Sequence, residues 1–501
     1  MNLTNAEMLS GKRFAPAHLG HVLLLGLGVS GKAALAYLLA QAQGRVLSIS
    51  IFGGMKRCDL SNIEGINAKC VTVDFGENAI DNLLAHAGIS KFDVCIASPG
   101  ISEFNAEYLN AKQNSQEIIS EVEFAWRESS KSSKWVAITG TNGKTTTTAL
   151  CAHVLQNAGV NAQAVGNIGD ACISAVGAGK CNVFVAEVSS YQLASTKFFA
   201  PNVAVLLNIT PDHIHWHKTL ENYYAAKMKL LANFGSHPGH VCVFDAACEK
   251  TCSLVKEYCK NNSHVASTSF IPVTNNPCCN ESAENECYID SKGTLCVSYA
   301  GKIYKLCNRD ELLIHGSHNA QNALFAAAAS IALGASSADV SSALKTFAPL
   351  EHRLEPCGSV CGVQCFNDSK ATNVDATLKA FDALSAKKPI VLLGGQDKGT
   401  NLDALVKAAH KSTSCVVCFG SASKRFTDAF ESASALAPAS FRVLSATNLE
   451  EAFDTALKAA EDGDTILLSP SCASFDEFTS FEARGRAFKA LVSARTASLG
   501  K

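Results

Sequence analysis

The chain has 501 residues, 47% hydrophobic and 18% charged, a balance that suits several packed cores and excludes a disordered protein or a small disulfide scaffold. Its formal net charge of −2 offers no basic field for nucleic acid or an anionic membrane. The longest apolar run, Ala323–Ala335, is too short to span a bilayer, and the N-terminus has no signal-peptide core, so a cytoplasmic chain is expected, with neither nucleic acid nor membrane as partner.

Short apolar runs alternate with longer helical patterns, which predicts an α/β fold with mostly parallel sheets. "HVLLLGLG" (His21–Gly28) reads as a buried strand that turns into a helix through "GLGVSG" (Gly26–Gly31). That loop suits a diphosphate at a helix N-terminus. A nicotinamide dinucleotide would also need an acid some 20 residues on to hold its ribose. No Asp or Glu lies between Gly31 and Cys58, which disfavours an oxidoreductase; glycines used for packing alone remain the other reading.

Further strands are predicted in "FDVCIASPG" (Phe92–Gly100), "WVAITG" (Trp135–Gly140), "VFVAEVSS" (Val183–Ser190) and "VAVLLNIT" (Val203–Thr210). "PIVLLGG" (Pro389–Gly395) and "DTILLSP" (Asp464–Pro470) follow. The polar "WRESSKSSK" (Trp126–Lys134) and the proline-bearing "FAPLEHRLEP" (Phe347–Pro356) read as joints. They predict three domains: a Rossmann-like unit over 1–128, a P-loop unit over 129–350 and a second Rossmann-like unit over 351–501.

"ITGTNGKTTTT" (Ile138–Thr148) is a shortened P-loop between a strand and a helix. Gly140, Thr141, Asn142, Gly143, Lys144, Thr145 and Thr146 are its ATP-binding candidates. Backbone N–H groups cradle phosphate oxygens, Lys144 neutralises charge, and the Thr145 hydroxyl can bind Mg²⁺. Such a site needs a carboxylate from a neighbouring strand end, and Glu187 in "VAEVSSYQ" supplies one; a salt-bridged structural Glu is the alternative.

The 21 cysteines are scattered. "CVVC" (Cys415–Cys418) has zinc-like spacing, but a strand points its two thiols to opposite faces, so both are expected in the core. Cys278, Cys279, Cys287, Cys296 and Cys307 read as free thiols in a variable, polar insertion. "NITPDHIHWH" carries His213, His215 and His217 at alternating positions, which on spacing alone leaves zinc, magnesium or a solvated loop open.

"GTNGKTT", "GNIG", "AEVSSYQL", "LNITPDH", "YYAAKMK" and "GSHNAQNAL" occur in this order and resemble the central domain of the Mur ligases. "HRLE", "NDSKATN", "LLGGQDKG", "LLSPSCASFDEF" and "FEARG" in the last third are similar to the D-glutamate-adding branch of that family. The resemblance covers nearly the whole chain. It implies an ATP-dependent ligase, acting as a monomer, that joins D-glutamate to UDP-N-acetylmuramoyl-L-alanine through an acyl phosphate. Addition of a different amino acid, or a non-catalytic nucleotide-binding regulator, are the alternatives. The resemblance further implies two Mg²⁺ ions, held by Thr145, Glu187, His213 and a carbamylated Lys227. It gives catalytic roles to Lys144, His213, Lys227 and Lys370, and ATP contacts to Asn319, Asn322, Arg353 and Asp368. It places the UDP-sugar on Val29, Ser30, Gly100, Asn167, Ser189 and Gln192, and D-glutamate on Thr372, Lys398, Ser474 and Phe481. Two departures stand out. His215 occupies a position where the family usually has an acid, and "SIFGGMKR" lacks the usual acid after the second strand.

Overall fold

Each predicted apolar run forms a strand, and the strands assemble into three sheets. The computed structural model describes residues 18–235, 239–262, 268–274, 284–314, 316–397, 399–433 and 441–499. The first sheet contains β1 (Gly20–Leu25), β2 (Val46–Phe52), β3 (Val71–Asp74), β4 (Val94–Ala97) and β5 (Ile118–Ser120), all parallel, in the order β3-β2-β1-β4-β5. The chain reverses its winding direction between β1 and β4, and the crevice above such a point is where open parallel sheets take ligands.

The second sheet holds β6 (Lys134–Thr139), β7 (Ala162–Gly166), β8 (Val183–Glu187), β9 (Val203–Leu206), β10 (Val241–Asp245), β11 (Ser269–Val273), β12 (Glu286–Ile289), β13 (Thr294–Tyr299) and β14 (Lys302–Asn308). Their order is β14-β13-β12-β11-β10-β9-β6-β8-β7. The pairings are parallel except β12 with β13 and β13 with β14. β6, the strand that runs into the glycine loop, lies centrally between β9 and β8.

The third sheet contains β15 (Glu355–Val360), β16 (Val363–Asn367), β17 (Ile390–Gly394), β18 (Cys415–Phe419), β19 (Arg442–Ser445) and β20 (Thr465–Ser471), ordered β15-β16-β20-β17-β18-β19. Only β15 with β16 is antiparallel in it. Two compact units carry these sheets. The first runs to Glu311 and includes Gln321–Thr346; the second holds Leu312–Ala320 and the chain from Phe347 onward. No described helix is long and apolar enough to cross a membrane. The apolar run from Ala323 falls largely in the helix Ser317–Ala332, where Ala323–Ala329 are buried.

Cys415 and Cys418 are buried on β18 in separate clusters on the two faces of the third sheet, as the strand reading requires. Of the other cysteines, Cys287, Cys296 and Cys307 are free thiols as expected, but they do not lie in a polar loop. Cys287, Cys296 and Cys307 are buried on β12, β13 and β14. β14 is the edge strand of the second sheet, and its mostly exposed side chains dilute the apolar pattern there, while β13 is buried from Leu295 to Ser298. Cys278 and Cys279 lie outside the described residues.

"VFVAEVSS" is also shorter as a strand than expected. β8 ends at Glu187, and a helix starts at Ser190. Ser189 caps it: its hydroxyl accepts from Gln192 N while Gln192 Oε1 accepts from Ser189 N, and this reciprocal capping stops the strand.

Candidate functional site

β6 delivers Gly140–Gly143 at its carboxyl end, and Lys144 opens the helix Lys144–Asn157. Four consecutive threonines give that helix little intrinsic preference. Burial of Leu150, Cys151, Val154 and Leu155 holds it instead, at about 1.5–3 kcal/mol for each large side chain. Gly143 has φ +87°, and a Cβ there would lie 2.7 Å from Asn322 Oδ1. A Cβ at Gly140 would lie 2.6 Å from Leu207 Cβ. Both positions therefore exclude larger residues, and the loop packs tightly onto its neighbours.

Lys144 Nζ curls back to the carbonyls of Gly140 and Thr141, at 3.0 and 2.8 Å. Asn208 was not singled out by sequence, although it lies within "LNITPDH". It clamps Asn142 twice: its Oδ1 accepts from Asn142 N, and its Nδ2 donates to Asn142 O. The Thr141 hydroxyl donates to Thr210 O and lies 2.8 Å from the Tyr223 hydroxyl. Asn322 Oδ1 accepts from Thr147, whereas Asn319, one turn earlier on the same helix, falls in the second unit. Thr145 is half-buried and Thr146 buried in the first helical turn.

Glu187 pairs in register with Ile138, so its carboxylate stands beside the strand that carries the loop. It is buried; Oε1 accepts from Asn167 Nδ2 at 2.9 Å, and Oε2 has no hydrogen-bond partner among the described residues. A buried carboxylate with no cation at hand is costly. An oxygen left unpaired at the end of a central strand, next to a phosphate-type loop, fits a site for a divalent cation. Among the described residues no ion pair to Glu187 is formed, so the structural salt-bridge alternative loses its support.

Lys227 is buried, 2% exposed, and its Nζ donates to Gly140 O at 2.7 Å. Burial, and after it the charge of Lys144, holds its ammonium well below the ordinary lysine range. Its Nζ lies 4.8 Å from the centroid of the Tyr223 ring. Lys229 departs from the site: its ammonium donates to Ala194 O. The helix Leu220–Met228 therefore does not show Lys227 to solvent as an ordinary surface helix would.

The three histidines do not converge. His213 has φ +57° and precedes the short helix Ile214–His217, so their alternation is not that of a strand. His213 Nδ1 lies 2.8 Å from the Tyr191 hydroxyl. His215 is exposed, and buried His217 places Nε2 on the Ser190 hydroxyl at 2.9 Å. Burial is the main cause that keeps His213 and His217 below the ordinary histidine pKa. A shared zinc at the three rings has no support in this geometry.

In the first sheet, Val29 and Ser30 open the helix after β1, and Gly100 follows β4, the neighbouring strand. Val29 is 81% exposed, unusual for a valine at a helix start. Of the remaining candidates near this end, Asn167 is exposed, while Ser189 and Gln192 face each other in the capping box.

In the second unit, the predicted segments lie at the carboxyl ends of adjacent strands. Asp368, Lys370 and Thr372 follow β16, and Ser474 follows β20. Lys398, from the segment after β17, lies outside the described residues. Asp368 is buried, accepts from the Ser469 hydroxyl at 2.8 Å, and is pushed up to about 7 by burial. Lys370 Nζ sits 3.7 Å from the centroid of the Phe481 ring, a cation–π contact that fixes both candidates together. Arg353 is flanked by His352 and Leu354, both with positive φ. Two non-glycine residues in the left-handed region around one arginine mark a locally strained loop.

Arg484, within "FEARG", had no assigned role. Its guanidinium is fully buried and donates to Ser369 Oγ and to the carbonyls of Ser369, Cys472 and Ala473. It ties the Lys370 loop to the Ser474 loop.

Residues 138–330 match the family model described as Mur ligase middle domain, and 352–472 match Mur ligase, glutamate ligase domain. The UDP-N-acetylmuramoylalanine–D-glutamate ligase of Thermoanaerobacter pseudethanolicus is 37% identical over 475 residues, covering 94% of this chain and 97% of its own. The ligase of the same name from Koribacter versatilis is 34% identical, with coverage of 94% and 96%. Among solved structures, MurF ligase from Thermotoga maritima in complex with ADP superposes with a TM-score of 0.55 at 14% identity, covering 98% of this chain and 99% of that one. The UDP-N-acetylmuramate–alanine ligase MurC of the same organism gives 0.55 at 17% identity, with coverage of 95% and 99%. These two likenesses concern the fold.

Proposed function

The chain belongs to the Mur ligase family, and from that premise we propose that it joins D-glutamate to UDP-N-acetylmuramoyl-L-alanine at the expense of ATP, as a cytoplasmic monomer in peptidoglycan precursor synthesis. The names of the relatives reported above support the substrates. The observation that carries the chemistry is Glu187: buried beside the P-loop, with one oxygen unpartnered.

A free carboxylate resists an amine because its charge repels the nucleophile and oxide is a poor leaving group. Its oxygen attacks the γ-phosphorus of ATP, and ADP leaves. The D-glutamate amine then attacks the acyl carbon, phosphate departs, and the new amide sheds a proton. The protein's task is positioning and charge stabilisation.

The backbone N–H groups of Gly140–Gly143 and the helix that follows receive phosphate oxygens, with Thr146, Asn319, Asn322, Arg353 and Asp368 as further ATP contacts. Lys144 leaves its loop carbonyls for the phosphates. Thr145, Glu187, His213 and a carbamate on Lys227 would hold two Mg²⁺ ions, which would supply neutralisation of phosphate and carboxylate charge. Lys227 suits carbamylation because burial favours its neutral amine, the form that adds CO₂. Lys370 stands with the acyl-phosphate chemistry. Thr372, Lys398, Ser474 and Phe481 receive D-glutamate. Val29, Ser30, Gly100, Asn167, Ser189 and Gln192 receive the UDP-sugar, the last two as a capped turn. In this reading residues 1–128, 129–350 and 351–501 act as UDP-sugar, ATP and amino-acid domains.

Purified protein with ATP, Mg²⁺ and UDP-N-acetylmuramoyl-L-alanine should release phosphate with D-glutamate and not with L-glutamate, L-lysine or meso-diaminopimelate. Phosphate release with another member of that panel, and none with D-glutamate, would replace the proposed amino acid.

A further inference from the structure

We propose that Tyr191 is a positioning residue for His213, committing the imidazole to the tautomer whose Nε2 presents a lone pair to a divalent cation. The inference rests on the reading of His213 as a cation ligand.

The Tyr191 hydroxyl lies 2.8 Å from His213 Nδ1. His213 Nε2 lies 3.6 Å from Asp212 Oδ2, too far for a hydrogen bond. A neutral imidazole carries one N–H. When that proton sits on Nδ1 and is donated to the phenol oxygen, Nε2 is left as an acceptor, the state a metal ligand needs.

A hydrogen-bond partner fixes the ring more firmly than packing alone, because the His213 side chain is still 40% exposed. Tyr191 is itself fixed. Its ring stacks on Trp216, with centroids 4.5 Å apart and planes 17° from parallel. Trp216 is anchored at both ends: its indole N–H donates to Pro99 O, and its carbonyl accepts from the Ser102 hydroxyl. Pro99 and Ser102 lie in the loop after β4, beside Gly100, and Tyr191 lies in the capped helix just past Glu187. The ring that orients His213 is thus held by elements of the first and second sheets. His217 differs, with its Nε2 on Ser190, and His215 is exposed. The ring of Tyr191 also lies 5.6 Å from that of His217, but its hydroxyl meets His213 alone of the three.

Tyr191→Phe keeps the stacked ring and removes the hydroxyl. Two measurements do not depend on turnover: long-range ¹H–¹⁵N correlation of His213 in the metal-free protein, and Mn²⁺ titration of the ADP-bound protein by electron paramagnetic resonance. The wild type should show the Nδ1–H tautomer. Y191F should shift His213 towards Nε2–H and weaken one Mn²⁺ site about 10-fold. His213→Ala serves as the reference. If H213A weakens Mn²⁺ binding while Y191F binds as wild type, or while the wild type already carries Nε2–H, the role of Tyr191 falls and the ligand reading of His213 stands. If H213A itself leaves Mn²⁺ binding unchanged, both fall.

Discussion

Lys144 and Lys227 donate to the same oxygen, the carbonyl of Gly140, at 3.0 and 2.7 Å. Two ammonium groups on one acceptor repel, and Lys227, the fully buried one, yields its charge first. Conversion to a carbamate would replace that repulsion with attraction to Lys144. Lys227→Ala should therefore cut kcat by about 10²–10³-fold, the scale for removal of a group that organises charge in a closed site. Bicarbonate or short carboxylates should restore part of the rate. A ¹³C carbamate resonance under labelled CO₂, present in the wild type and absent in the variant, checks the assignment directly.

Glu187→Gln keeps the acceptor for Asn167 and removes a buried charge. The variant should require at least about 10-fold more Mg²⁺ for half-maximal rate. Loss of metal dependence together with loss of stability would point to a structural role instead.

Gly28 and Gly31 separate two uses of one glycine loop. A Cβ on Gly31 would lie 2.0 Å from Gly26 O, whereas one on Gly28 would meet nothing within 4 Å. Gly31→Ala should cost at least about 2 kcal/mol in urea unfolding, through overpacking against backbone. Gly28→Ala should leave stability unchanged and raise KM for the UDP-sugar, if the loop receives the diphosphate as proposed, because a methyl there would then crowd it. Unchanged KM in Gly28→Ala would favour packing as the whole purpose of the loop.

Glu121 makes stability depend on pH. It is buried, 1% exposed, and is pushed up to about 7 by burial; one oxygen accepts from Ile173 N at 2.7 Å. Between about 4.5 and 7 the folded protein holds a proton that the unfolded chain has released. Stability from this group is complete below that window and is lost as pH rises through it. Urea unfolding from pH 5 to 8 should show the decline, and Glu121→Gln should flatten it by roughly 3 kcal/mol.

Arg484→Lys should be far from conservative. A lysine cannot reproduce four donations in a planar fork, so both loops that it ties should loosen. A destabilisation of about 2–4 kcal/mol is expected. KM for D-glutamate should rise more than KM for ATP.

Much of this protein was determined by its sequence alone. Continuous apolar runs such as "VLLL" and "IVLLG" set the central strands, because a strand covered on both faces has no polar positions to blur it. Gly140–Thr146 were legible as a glycine loop between a strand and a helix, because that turn depends on local backbone geometry. Strands β12–β14 were not legible, because they are short, sit among polar, turn-rich segments, and β14 is an edge strand with mostly exposed side chains. What the tertiary structure alone decided is how several similar residues are buried and partnered. It buried Lys227 on the P-loop carbonyl and sent Lys229 elsewhere; it linked His213 to Tyr191 and His217 to Ser190. It also left one oxygen of Glu187 without a partner. Spacing along the chain cannot separate these residues, because desolvation and hydrogen-bond partners come from strands and loops distant in sequence.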